Sequence, residues 1–145
     1  RKRVKFYIAT DHAGFAVKDD VKALLKARNC EVIDLGPDSD ARVDYPDFGH
    51  KVAKAVLADE GSFGIVICGT GIGISIAANK HEGIRAALCH DAYTAAMARE
   101  HNDANILAFG QRIVGLGVIE SMLDAFIDGK FGGGRHADRV KKIEK

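Results

Sequence analysis

The sequence predicts an α/β fold, a five-stranded parallel sheet covered by helices on both faces. Short apolar runs rich in β-branched residues alternate along the chain with helical stripes of ten to fifteen residues, the pattern of right-handed βαβ units. The central run, Ile65-Val66-Ile67, lacks polar alternation, as expected of a strand buried on both faces. At 145 residues and 47% hydrophobic content, the chain suits one domain with a full core. We expect that domain to span residues 1–145.

Taken in order, Val4 to Ala9 reads as the first strand, and Thr10-Asp11-His12-Ala13-Gly14 as the loop at its carboxyl end. Val17, Val21, Leu24 and Leu25 recur at helical spacing, and Asn29 ends that helix. Glu31 to Leu35 is the second strand, followed by loop chemistry from Gly36-Pro37 toward Tyr45-Pro46. Pro46 suits a helix's first turn, and Phe48, Val52, Ala55 and Val56 carry the apolar stripe as far as Gly61. The third strand ends at Cys68, and Ile74 to Ala78 reads as a buried helix. Arg85 to Cys89 is the fourth strand, and Asp91 caps a helix running to about His101. Ile106 to Phe109 is the fifth strand, and Val118, Met122 and Phe126 mark a helix before Gly129. Beyond it, Gly132-Gly133-Gly134 reads as a flexible link into a short basic helix.

Charge and cysteine usage narrow the function. Twenty-one Lys and Arg against twenty Asp and Glu leave a net charge of +1, which gives no reason to expect a nucleic-acid or membrane partner. Cys30, Cys68 and Cys89 are odd in number and lack Cys-x-x-Cys spacing, as free thiols in a reducing compartment would. No secretory apolar region or span of eighteen apolar residues occurs, so the expected location is the cytoplasm.

In a parallel sheet, ligands bind outside the carboxyl ends of the strands, where the strand order reverses. Asp11 and His12 follow the first strand, Cys68 and the alternating Gly69, Gly71 and Gly73 the third, and Arg112 the fifth. The glycines let backbone N–H groups approach an oxygen-bearing ligand, although a tight strand-to-helix turn also uses glycine. By position alone Cys68 is either a reactive thiol at a helix N-terminus or a buried structural cysteine. Known phosphate loops do not fit. A Walker A loop lacks its lysine, and a dinucleotide loop or a thiol phosphatase loop would need glycine or arginine where Ile74 stands. A phosphoacceptor domain would need aspartate in place of Cys68, and the six histidines show no metal-ligand spacing.

Several blocks occur together: Asp11-His12-Ala13-Gly14, Asp44-Tyr45-Pro46, Cys68 through Lys80, Gly83-Ile84-Arg85-Ala86, His101 through Asn105, Phe109-Gly110-Gln111-Arg112 and Gly133-Gly134-Arg135-His136. In this order they resemble the signature blocks of the type B ribose-5-phosphate isomerase family. The resemblance implies a Rossmann-like α/β/α sandwich and homodimers that sometimes pair into tetramers. It also implies interconversion of ribose 5-phosphate and ribulose 5-phosphate in the pentose phosphate pathway, without metal or cofactor. Relatives isomerise allose 6-phosphate or galactose 6-phosphate; a phosphosugar-binding regulator without turnover is the alternative from another class.

The resemblance makes Cys68 the base that moves a proton between C2 and C1 through a cis-enediol. Some relatives carry a glutamate at the position of Ile74 instead, so this chain is of the cysteine type. The backbone from Gly69 through Thr70, Gly71, Ile72 and Gly73 is expected to hold the enediolate oxygen, with Thr70 adding a hydroxyl. His101, which by position alone reads as a helix C-terminal cap, becomes the acid–base residue for opening the furanose ring, with Asn102 and Asp11 orienting hydroxyls. His12, Arg112, Arg135 and Arg139 receive the phosphate, since guanidinium groups match its oxygens bidentately. Without the motif Arg135 and Arg139 would read as a solvated basic tail. The C-terminal arm, about 129–145, is expected to reach the dimer partner, so that each site is shared between subunits.

Overall fold

The structure is a computed structural model that describes residues 3–145; Arg1 and Lys2 lie outside the described residues. Five parallel strands, β1 (Lys5–Thr10), β2 (Glu31–Asp34), β3 (Phe63–Cys68), β4 (Ala86–Leu88) and β5 (Ile106–Gly110), form one sheet in the order β2-β1-β3-β5-β4. Six helices accompany them: α1 (Phe15–Ala27), α2 (Tyr45–Leu57), α3 (Ile72–Ala78), α4 (Ala92–Asn102), α5 (Leu116–Asp128) and α6 (Arg135–Glu144).

Two apolar clusters separate the layers. Phe6, Ile8, Ile65, Ile67, Leu107 and Phe109 point from the sheet toward α1, α4 and α5, where Val21, Leu25, Ala95, Met122 and Phe126 meet them. Ala9, Val66, Cys68, Ile106 and Ala108 point the other way, onto Val52, Val56 and Ile74 of α2 and α3. Successive residues of a strand alternate faces, so a run such as Ile65-Val66-Ile67 feeds both cores at once. The two other cysteines belong to the first cluster: burial raises the Cys30 thiol and pushes Cys89 up to about 11.

Because α1 and α3 leave β1 and β3 toward opposite faces, the carboxyl ends of these neighbouring strands diverge into a crevice. The β2–α2 loop is tied down beside it. Buried Lys18 donates to Asp34 at 3.0 Å and to the Pro37 carbonyl at 2.5 Å, and Lys22 also reaches Asp34 at 2.9 Å.

β1 shifts and β2 shortens by one residue from the sequence expectation, and β4, β5 and α3 differ for local reasons. β4 starts after Arg85, whose N–H goes to the Asn105 side chain at 2.9 Å, and ends at Leu88. β5 continues to Gly110, which pairs with Cys68. Helix α3 begins at Ile72 instead of Ile74, since Gly71 turns the chain with φ +80°. The triple glycine is also no slack tether. The Gly132 N–H donates to the Glu100 carbonyl at 2.9 Å, and Gly133 and Gly134 turn the chain with φ +65° and +55°. From there α6 lies against α4, and its Glu144 accepts from the Gly83 N–H at 3.1 Å and pairs with Arg85.

Candidate active site

Cys68 ends β3 with only 5% of its surface exposed, and its Sγ accepts a hydrogen bond from the Gly71 N–H at 3.1 Å. That contact depends on the turn: a Cβ on Gly71 would lie 2.6 Å from the Phe109 carbonyl carbon and 2.7 Å from Leu88 Cδ1. Thr70 is exposed at the tip, where its Oγ1 accepts from the Ile72 N–H at 3.2 Å. β5 closes the other side, with the Gln111 N–H donating to the Cys68 carbonyl and the Arg112 N–H to the Gly69 carbonyl, both at 3.0 Å.

The flanking loops bring the remaining groups. Asp11 is buried, and its Oδ1 accepts from the Ala13 and Gly14 N–H groups at 2.9 and 3.0 Å, which shapes the loop carrying His12. The His12 Nδ1 accepts from the Val43 N–H at 3.3 Å, so the neutral ring carries its proton on Nε2. Together His12, Tyr45, Cys68, Gly69, Thr70, Ile72, Gly73 and Arg112 line an open cleft of about 520 Å³. It offers a thiol, backbone amides and one guanidinium within a single concavity.

His101 and Asn102 do not belong to this cleft. They end α4, the crossover helix that starts beyond the carboxyl end of β4 and returns to the opposite edge of the sheet. Since Gly64 pairs with Ile106 and Cys68 with Gly110, the two edges are four residues apart, roughly 13 Å at 3.3 Å per residue. The Arg85 guanidinium confirms the placement of this corner at the start of β4, donating to the Asn102 and Asp103 carbonyls at 3.1 Å. The arm joins the same corner, for the His136 ring stacks on His101 with centroids 4.3 Å apart and planes 13° apart. Arg135 and Arg139, one helical turn from each other, are both exposed there. The predicted site residues therefore form two groups on opposite edges of one chain.

A family model described as Ribose/Galactose Isomerase matches residues 6–143. The chain belongs to this family. It is 49% identical over 139 residues to ribose-5-phosphate isomerase B of Escherichia coli (strain K12), covering 96% of this chain and 93% of that one. The fold matches the structure of Clostridium thermocellum ribose-5-phosphate isomerase B with a TM-score of 0.95 at 55% identity, over 97% of this chain and 95% of that one. A ribose 5-phosphate isomerase from Thermotoga maritima gives a TM-score of 0.95 at 47% identity over 99% of each chain.

For this member of the isomerase family, sequence reasoning missed Tyr45 in the candidate cleft and Gln111 behind it. Tyr45 lines the cleft with its ring against Gly73, where a Cβ would lie 2.5 Å from the ring. Its signal was the Asp44-Tyr45-Pro46 block in a loop at the carboxyl edge. Gln111 acts behind the cleft, its Oε1 accepting from the Val17 N–H at 2.9 Å, so that the first turn of α1 and the loop carrying Arg112 hold together.

Proposed function

We propose that the chain interconverts ribose 5-phosphate and ribulose 5-phosphate through a cis-enediol, in the pentose phosphate pathway, and that it works as a homodimer with shared sites. The observation that carries the reading is Cys68 at the floor of an open cleft, with an amide N–H aimed at its sulfur and an arginine at the rim. As thiolate, Cys68 removes the C2 proton of the open-chain aldose; the C–H electron pair forms the C1–C2 double bond, and the carbonyl oxygen becomes the enediolate oxygen. Amides of Gly69 to Gly73 and the Thr70 hydroxyl stabilise that charge. A proton shift between the two enediol oxygens and return of the Cys68 proton to C1 complete the ketose.

The closed sugar must first open, and His101 is the acid–base group assigned to that step, with Asn102 and Asp11 orienting hydroxyls. Phosphate is received by His12, whose Nε2–H is free to donate, and by Arg112, Arg135 and Arg139. His101, Asn102 and the arm lie on the edge opposite Cys68, so one chain cannot assemble the full set. A two-fold dimer supplies it twice, each cleft facing the other chain's corner. A tetramer would pair two such dimers.

No helix among the described residues is long and apolar enough to cross a membrane. The free thiols buried in the core suit a reducing compartment, and we assign the protein to the cytoplasm. The family model also spans galactose isomerases, which makes a hexose 6-phosphate the second reading of the substrate. Incubating the protein with ribose 5-phosphate, allose 6-phosphate and galactose 6-phosphate while following ketose formation tests both. Ribose 5-phosphate should turn over fastest; binding without turnover of any of them would favour a phosphosugar-binding regulator and overturn the assignment.

A further inference from the structure

His136 has no place in the mechanism above, yet its ring lies nearly parallel to His101 at 4.3 Å. His101 needs such a support. It ends α4, its side chain is 42% exposed, and the nearest carboxylate, Glu100, is 3.8 Å from its Nε2, beyond hydrogen-bonding range. An exposed imidazole at a helix end samples several rotamers, whereas proton transfer requires alignment to within about 0.5 Å and 10–20°. Among the described contacts, the His136 ring is the one surface that fixes the His101 plane.

We infer that His136 is a positioning residue for ring opening, holding the His101 imidazole in the orientation that meets the sugar's ring oxygen. The platform itself is fixed at both ends. The His136 N–H donates to the Gly133 carbonyl at 3.0 Å, and the far end of α6 is held where Glu144 meets Gly83 and Arg85. Charged groups face the pair from both helices, Glu100 from α4 and Arg135 and Arg139 from α6. Desolvation, the neighbouring His101 and these two guanidinium groups hold His136 below the usual histidine range, against the pull of Glu100. That direction favours the uncharged His136 ring against His101. The arm that brings the phosphate-binding arginines thus also orders the ring-opening histidine.

This inference rests on the ring-opening role of His101, and the test separates the two. Two rates are measured for each variant: turnover of ribose 5-phosphate, which must open, and deuterium uptake from D2O into C1 of ribulose 5-phosphate, which is already open. The ratio of the first to the second should fall about tenfold in His136→Ala, through kcat and not KM, because a misplacement of about 1 Å costs up to a hundredfold. His136→Phe, which keeps a flat ring, should recover most of the loss. His136→Leu, similar in bulk but not planar, gives the same comparison if the alanine variant does not assemble. An arm that merely folds worse would raise KM for both substrates and leave the ratio alone, and that result overturns the inference. So does a phenylalanine variant no better than the leucine one. If His101→Ala keeps the wild-type ratio, the ring-opening role fails and this inference falls with it; if His101→Ala lowers the ratio and His136→Ala does not, this inference alone fails.

Discussion

Gly71→Ala strikes the turn that aims an amide at Cys68. At φ +80° an L side chain costs about 1–2 kcal/mol. The added Cβ would also lie 2.6 Å from the carbonyl carbon of Phe109 and 2.7 Å from Leu88 Cδ1. Leu88 can change rotamer, but Phe109 belongs to β5, so the backbone must yield, and overpacking of this kind adds about 1–3 kcal/mol. We therefore expect a loss of about 2–5 kcal/mol, a large share of a typical 5–15 kcal/mol, in a variant that still folds. Gly61→Ala is the matched control, since Gly61 has φ +85° and nothing within 4 Å of its added Cβ. It should lose about 1–2 kcal/mol only. Urea unfolding of both variants isolates the packing contribution. In the folded Gly71→Ala protein the residue-71 N–H no longer meets Sγ at 3.1 Å, so the thiolate loses a donor that favours it and kcat should fall. Equal urea midpoints for the two variants, with wild-type kcat in Gly71→Ala, would show that neither the Phe109 contact nor the Sγ donor matters.

Two further outcomes are expected. Cys68→Ala should abolish isomerisation while binding ribose 5-phosphate within a few-fold of wild type by calorimetry, because the thiol acts on a C–H bond and does not anchor phosphate; near wild-type turnover would remove Cys68 as the base. Stability should fall as pH drops below about 6.5, the unfolded histidine value, because desolvation and the charges of His50 and Lys54 lower the pKa of His81, so in that range the unfolded chain binds more protons. His81 also meets His50 across 2.7 Å, and His81→Gln should lose less stability between pH 7.5 and 5.5 than wild type; equal losses would place the titration elsewhere.

The sheet was legible because its strands include short apolar runs such as Ile65-Val66-Ile67 and because α1, α2 and α5 each carry one apolar stripe. Asp91 shows this at one residue: an aspartate just ahead of a helical run is a cap signal, and its carboxylate accepts from the Thr94 N–H at 2.7 Å. The order of β4 and β5 was not legible, since nothing local says that β5 lies inside and β4 at the edge. The cleft around Cys68 was readable for the same reason as the sheet, because strand ends and glycine spacing place loops at one edge. The separation of His101 from Cys68 follows from topology more than from residue type. An α4 of eleven residues spans roughly 16 Å, enough to carry its last turn across the sheet. The docking of the arm joins residues about 35–60 positions apart, such as His136 with His101 and Glu144 with Arg85, and no local pattern announces such contacts.

In the dimer we propose, each site joins the Cys68 cleft of one chain to the His101 corner of another. Cys68→Ala and His101→Ala proteins, each nearly inactive on ribose 5-phosphate, are co-refolded and the mixed dimers verified by mass. Random pairing makes about half the dimers mixed, and each mixed dimer then holds one intact site and one doubly damaged site, so activity should rise toward about a quarter of wild type. Activity no higher than the average of the two parents, in a sample containing the mixed dimers, would contradict the shared site, because it would mean that Cys68 and His101 serve the same chain.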